Sequence, residues 1–360
     1  MINRKITILG PEGTNLYILL QFMLFSVISW FTLFSSIESI EFETTNILSR
    51  QILFSLIGLI VFFLTTYLSI ENLYNLINSL FILSISVLIG LLSTTPILGV
   101  RRWYDLEPIG LPIFIQPSEF SKIILVLFLA KILSQKSYKL IAVIGVLINL
   151  LLIFIQPDLG TTMLLLIVTS FMFFMSDIKL RSAVLGLLAF FLLFFIFLEM
   201  SFIGDYQISR IIDFFSGDDF SQKQSRLSIS SGGLFGTYFT NSQITEVFVP
   251  VQTTDFIFSL YSRNFGFLGG LFLLSLWILF FFRVNRIIKL TQIEFEKYLL
   301  SGLLILLGVQ ILINLLTILG FIPLTGIPFP LLSLGGSSIF STAIIFGLIN
   351  RVFIENNIVV

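Results

Sequence analysis

Asp255 stands in Thr254-Asp255-Phe256-Ile257-Phe258, where a polar stretch of about fifty residues meets a long apolar run. An ionisable side chain at such a boundary is costly and usually marks chemistry or transport. A carboxylate partly withdrawn from water is a stronger base, so Asp255 is a candidate general base. It has few competitors, because the chain contains no His and no Cys. Proton transfer near neutral pH is therefore left to Asp, Glu, Lys or Tyr, and thiolate or imidazole metal sites are excluded. The candidate anion-binding cations are Arg101 and Arg102 in Gly99-Val-Arg-Arg-Trp-Tyr-Asp105, Lys122 in Gln116-Pro-Ser-Glu-Phe-Ser-Lys122, and Arg210 in the polar stretch. Glu119 and Ser337 complete the candidate substrate-binding set, and no metal-ligand cluster is visible.

Each of these residues also has a purely structural reading. Glu119 suits the first turn of a helix opened by Pro117, and Lys122 can snorkel to an interface. A cation as deep as Lys122 nevertheless wants an anionic partner. Arg101 and Arg102 fit a solvated loop, and Trp103 fits an interfacial anchor. In Gln156-Pro-Asp-Leu-Gly160-Thr161-Thr162, Asp158 can cap the next helix and Gly160 can allow close helix packing. Asp255 itself can be a helix cap, a role compatible with catalysis.

The elements that position these residues follow from composition. The chain is 56% hydrophobic and 11% charged over 360 residues, with net charge zero and mean hydropathy +1.05. Soluble domains run nearer 25% charged, so this is an all-α polytopic membrane protein, read as one membrane domain over 1–360. Nothing in its charge calls for nucleic acid. The 42 Phe, with many Ile and Asn, fit an AT-rich genome such as that of an endosymbiont or an organelle, for instance a plastid. A span needs roughly 17–25 apolar residues. Ten are predicted, at about 16–36, 52–70, 76–94, 118–134, 139–155, 158–176, 182–199, 256–282, 298–320 and 337–354, with tight hairpins near 155–158 and 176–182. The segment before residue 16 lacks a cleavage site, so the first run is expected to be a retained helix.

Lys and Arg set the orientation. With the N-terminus inside, the inner loops hold Arg4, Lys5, Lys131, Lys136, Lys139, Lys179, Arg181, Arg283, Arg286, Lys289, Lys297 and Arg351. The outer side holds Arg50, Arg101, Arg102, Lys122, Arg210, Lys223, Arg226 and Arg263. Both termini are then cytoplasmic. One large extracytoplasmic loop, about 200–254, carries Asp205-Tyr-Gln207, Gln224-Ser-Arg226 and Ser231-Gly-Gly233, and its Tyr206–Phe215 part has the spacing of a surface helix. The outer segment 95–117 is rich in Pro and Gly. A further segment, Gly326-Ile-Pro-Phe-Pro-Leu-Leu-Ser-Leu-Gly-Gly-Ser-Ser338, breaks a helix at membrane depth, which is tolerated only where backbone is buried or lines a cavity. Such breaks occur in transporters as well as enzymes.

In order and spacing, Arg-Arg-Trp, Gln-Pro-Ser-Glu, Gln-Pro-Asp-Leu-Gly, Thr-Asp-Phe-Ile-Phe and Gly-Ile-Pro-x-Pro with Gly-Gly-Ser-Ser resemble the SEDS family, the RodA/FtsW/SpoVE proteins of bacterial cell-wall synthesis. The resemblance covers nearly the whole chain and is slightly closer to RodA. It implies a ten-helix peptidoglycan glycosyltransferase that polymerises lipid II into a growing glycan strand outside the inner (plasma) membrane. It implies a class B penicillin-binding transpeptidase as partner, in elongation or division, besides membrane lipid. The family's essential aspartate falls on Asp255, its Pro-Ser-Glu lysine on Lys122, and its arginine pair on Arg101 and Arg102. A divalent cation, Mg or Mn, is the only cofactor considered. Three departures stand out. The usual Pro-Glu-x-His-Thr-Asp reads Pro250-Val-Gln-Thr-Thr-Asp255. Gly-Glu-Glu-x-Gly reads Ser262-Arg-Asn-Phe-Gly266, and the Tyr before Gly-Gly is Leu334.

Two other classes compete with the enzyme. A lipid-linked precursor flippase needs charges along a path across the bilayer, whereas the motif charges here gather at the outer face. A non-catalytic scaffold of the cell-wall machinery fits the altered neighbours of Asp255.

Overall fold

A computed structural model describes residues 14–34, 44–96, 100–107, 114–135, 139–176, 205–217, 219–240 and 249–356. The elements are α1 (Thr14–Phe34), α2 (Thr44–Tyr67), α3 (Ile70–Leu91), β1 (Tyr104–Asp105), β2 (Phe114–Ile115), α4 (Pro117–Ser134), α5 (Lys139–Ile155), α6 (Leu159–Phe174), α7 (Asp205–Ser216), α8 (Phe220–Ser231), α9 (Thr237–Thr240), α10 (Ile257–Leu290), α11 (Glu294–Ile318) and α12 (Gly336–Glu355). Among the described residues the regular structure is helical except for one two-stranded antiparallel ribbon, β1–β2, which pairs Tyr104 with Ile115 and Asp105 with Phe114.

Among the described residues, six helices are long and apolar enough to cross a membrane: α1, α2, α3, α10, α11 and α12. Helices α5 and α6 are apolar but shorter, and α4 carries Glu119, Lys122 and Lys131 within its 18 residues. The predicted span at 182–199, and with it the second hairpin, lies outside the described residues. The hairpin between Ile155 and Leu159 is as tight as expected.

Several boundaries differ from the apolar runs. Helix α2 starts at Thr44 rather than near 52, α3 at Ile70 rather than near 76, and α10 continues to Leu290 rather than ending near 282. Helices are propagated by backbone pairing and ended by caps, so they outrun the hydropathy that reveals them. Ser69 caps α3 by accepting the Asn72 N–H. The long polar stretch holds α7, where Tyr206–Phe215 has helical spacing, and also α8 and α9 in place of the expected loop. Asp219 caps α8 through the Gln222 N–H.

The chain divides into two compact units: 1–68 with 213–290 and 310–360, and 69–212 with 291–309. In the first, α12 packs along α2 and α1. Phe25 stacks on Trp277 at 4.2 Å and Phe280 on Phe346 at 4.6 Å, which locks α1, α10 and α12 into one aromatic core. In the second, α3, α4, α5 and α6 pack in a bundle, with Phe81 stacked on Phe128 at 4.0 Å.

Helix α10 is broken at Gly266, whose φ is 70° and ψ −171°. A break frees backbone N–H groups that water cannot reach in an apolar layer. Here the Phe267 N–H donates to Gly233 O at 2.9 Å and the Leu268 N–H to Leu234 O at 3.1 Å. The Gly232–Gly236 segment thus docks backbone to backbone on the break. A Cβ built on Gly236 would lie 2.1 Å from Asn264 O, and its φ of +87° already disfavours any side chain. Gly236→Val should therefore lower the thermal unfolding midpoint of the detergent-solubilised protein, at about 1–3 kcal/mol for the backbone conformation alone. An unchanged midpoint would mean that the segment does not seat on the α10 break.

Candidate functional site

Asp255 is half-buried and ends a tight turn before α10. The Thr254 and Asp255 N–H groups both donate to Val251 O at 3.2 Å. Val251 closes this turn at φ 54°, a conformation a β-branched residue rarely adopts. Such strain is held only where surrounding bonds over-determine the backbone, and here they do. The carbonyls of residues 253, 254 and 255 are each tied in succession. Leu334 N–H donates to Thr253 O at 2.9 Å, Ser333 Oγ to Thr254 O at 2.5 Å, and Asn314 Nδ2 to Asp255 O at 2.9 Å.

Asn314 belongs to α11, and Leu334 and Ser333 belong to the non-helical segment predicted to sit at membrane depth. Helix α11 holds it through a polar stripe at helical spacing. Gln310 Nε2 donates to Pro328 O at 2.9 Å, and Asn314 Nδ2 to Ile327 O at 2.8 Å. Thr317 Oγ1 shares a hydrogen bond with Thr325 Oγ1 at 3.1 Å. Phe329 N–H donates to Ser333 Oγ at 2.8 Å, closing the turn. Gly326, at φ +71°, lies beside the carboxylate; a Cβ there would be 3.7 Å from Asp255 Oδ2. Ser337 is buried in the first turn of α12, the helix this segment leads into. Above α11, α8 is pinned by Gln222, whose Nε2 donates to Thr317 O at 3.0 Å and Ile322 O at 2.8 Å.

The predicted cations Arg101, Arg102, Lys122 and Arg210 belong to the second unit. Arg101 is exposed and Arg210 half-buried. Arg102 is drawn inward: its guanidinium lies 3.9 Å from Asp158 Oδ1 and donates to Pro157 O. Asp158 also caps α6, accepting from the Thr161 N–H at 3.2 Å. Its Oδ2 accepts from Gln116 Nε2 at 3.3 Å and Ser118 Oγ at 3.5 Å. One carboxylate thereby joins the Arg-Arg-Trp segment, the start of α4 and the start of α6. Pro117 opens α4 where no N–H is needed. The β1–β2 ribbon between these motifs places Tyr104, whose hydroxyl donates to Val87 O at 2.9 Å. Burial raises its phenol above the usual tyrosine range, so it remains a neutral donor.

Lys122 does have an anionic partner, but a neighbour on its own helix supplies it. Its Nζ lies 2.8 Å from Glu119 Oε2, with side-chain exposures of 2% and 4%. Glu119 is thus half of a buried ion pair as well as a first-turn acid.

The sequence reading missed Asn314, Gln310, Ser333 and the joining role of Asp158. Gln310, Asn314 and Thr317 carried a signal, since polar residues at i, i+4 and i+7 of an apolar span mark a face turned toward something polar.

Comparison with known proteins then places the chain. The family model described as "Cell cycle protein", covering FtsW, RodA and SpoVE, matches residues 14–358. The chain belongs to the FtsW/RodA/SpoVE family. A family relative, stage V sporulation protein E of Bacillus subtilis, is 34% identical over 67% of this chain and 68% of its own length. The peptidoglycan glycosyltransferase MrdB of Escherichia coli is 34% identical over 70% of each chain. Among solved structures, a chain of a peptidoglycan synthase complex coordinating polymerization and crosslinking superposes with a TM-score of 0.76. It shares 26% identity and covers 94% of this chain and 97% of that one. RodA of Thermus thermophilus superposes with a TM-score of 0.69 at 27% identity, covering 94% and 95%.

The buried pair of this family member makes a direct prediction. Removing one charge strands the other, at about 3–5 kcal/mol, whereas replacing both is close to neutral. Lys122→Met should lower the thermal midpoint clearly, and adding Glu119→Gln should restore most of it. Equal midpoints for the single and double variants would show that the two charges are not coupled.

Proposed function

We propose that this chain is a peptidoglycan glycosyltransferase of the plasma membrane that polymerises lipid II at the outer face. The observation that carries the reading is Asp255. It is a half-buried carboxylate whose backbone is anchored at three consecutive carbonyls, in a chain that matches the family from residue 14 to residue 358. The relatives' activity and the shared fold support it, and the chain's apolar helices fit a multi-pass location. The ten-span topology, with both termini cytoplasmic and residues 1–360 acting as one membrane domain, is part of the proposal. So is pairing with a class B penicillin-binding transpeptidase, in keeping with the synthase complex that one structural relative forms.

In the proposed reaction a sugar hydroxyl of one lipid-linked disaccharide attacks the anomeric carbon of another. The new glycosidic C–O bond forms as the bond from that carbon to the pyrophosphate oxygen breaks. The hydroxyl proton passes to the Asp255 carboxylate, and polyprenyl pyrophosphate leaves with the electron pair. Arg101, Arg102, Lys122 and Arg210 are the proposed pyrophosphate contacts, through charge-assisted hydrogen bonds. Glu119 holds Lys122, and Ser337 is a proposed sugar contact. A divalent ion, Mg or Mn, is proposed only as a companion of the pyrophosphate. Among the described residues no group of three acidic side chains forms a cage, and Mg is commonly held by one or two carboxylates plus substrate phosphates.

General-base catalysis typically contributes about 10²–10⁴-fold. Asp255→Ala should lower lipid II polymerisation by that factor with an unchanged thermal midpoint. Polymerisation at the wild-type rate by the purified variant would refute the base assignment, and a wild-type protein that translocates lipid II without polymerising it would favour a flippase. Alanine at Arg101 or Arg210 should raise KM before kcat falls, with EDTA deepening the defect. An unchanged KM in both variants, with or without EDTA, would remove these cations and the ion from the site.

A further inference from the structure

We infer that Asn314 is a positioning residue for the reaction, acting through the backbone of Asp255; the inference rests on the proposed role of that carboxylate. Asn314 lies in the middle of an apolar run of α11 and is 1% exposed. Burying an amide there is costly unless its hydrogen bonds are made. Both bonds it makes run to carbonyl oxygens, Asp255 O at 2.9 Å and Ile327 O at 2.8 Å. Of the two ends of the amide only the NH₂ can donate, so the chemistry fixes the orientation of the amide.

What it joins gives the contact its meaning. The Ser259 and Leu260 N–H groups at the start of the helix that follows both go to Phe256 O. Without Asn314 the Asp255 carbonyl would lose a donor where the chain enters α10. Ile327 follows Gly326, the residue that flanks the Asp255 carboxylate. A single amide therefore sets the spacing between the residue carrying the base and the loop residue beside it. Ser333 adds a second tie, since its Oγ donates to Thr254 O while accepting from the Phe329 N–H. Neither residue is placed on the reacting atoms; both fix where Asp255 sits. Displacements of about 1 Å at a reacting group can cost 10²-fold in rate.

The test compares the purified wild type with Asn314→Leu, Ser333→Ala and Asp255→Ala, using fluorescent lipid II as probe. Rates are expressed per molecule that binds lipid II, so loss of folded protein does not register. Asn314→Leu should lower kcat by about 10²-fold with KM within about twofold, because positioning is needed for the chemical step rather than for binding. Ser333→Ala, which removes one tie, should lower kcat by a smaller factor, also with KM unchanged. If Asn314→Leu does not fold, Ser333→Ala alone decides. A kcat per binding-competent molecule equal to wild type in every folded variant of the two overturns the inference. A rise in KM with unchanged kcat does the same. Asp255→Ala separates the two levels of failure. If it polymerises normally the catalytic reading falls; if it is silent while Asn314→Leu and Ser333→Ala are fully active, only the positioning role falls.

Discussion

A carbonyl oxygen inside an apolar layer must find a protein donor, because no water is there to replace one. The first unit is arranged around that constraint. Residues 321–335 run without helical pairing between α11 and α12, and so present carbonyls that no helix of their own satisfies. The polar stripe of α11 holds this segment, Asn314 at the Ile327 carbonyl, Gln310 at the Pro328 carbonyl and Thr317 at the Thr325 hydroxyl. Once fixed, the segment becomes a donor in turn and fastens Thr253 and Thr254 through Leu334 and Ser333, while Asn314 of α11 fastens Asp255 directly. Asp255 is placed by the last link of this chain. The strained turn at Val251 is tolerable because the network leaves the backbone no alternative.

The second unit is governed by a different cost, that of taking charge out of water. It pairs Lys122 with Glu119 and Arg102 with Asp158, and it meets buried Lys131 with the Tyr74 carbonyl. This changes what the cations can offer an anionic substrate. A paired lysine presents a dipole more than a free charge, whereas exposed Arg101 keeps its full charge for a ligand. Asp158 is economical in another way, since a single carboxylate caps α6, holds Arg102 and receives Gln116 and Ser118. Three motifs separated in sequence are thereby one structural feature.

Much of this was legible in the residues. The apolar runs located the helices, Pro117 and Asp158 announced the starts of α4 and α6, and the Pro and Gly pairs of 326–338 marked the helix break. The helices inside 205–240 were hidden because they are polar, and only Tyr206–Phe215 had an amphipathic period. Helix ends were misplaced where a helix outruns its apolar stretch, as α10 does through Arg283, Arg286 and Lys289. Asn314 and Ser333 escaped notice because they act on main-chain carbonyls, which carry no residue code. The partner of Lys122 was harder to assign for the opposite reason: Glu119 already had a sufficient role in the first turn of α4.

The central claim is that a basic carboxylate, held on a fixed backbone at residue 255, takes the proton in glycosyl transfer. Comparing Asp255→Glu with Asp255→Asn in lipid II polymerisation tests it most directly, since the first keeps the base but moves it and the second keeps the shape but removes the base. The account predicts residual strand synthesis by the glutamate variant and none by the asparagine variant, with lipid II binding retained in both. Strand synthesis by Asp255→Asn at or above the rate of Asp255→Glu would contradict it.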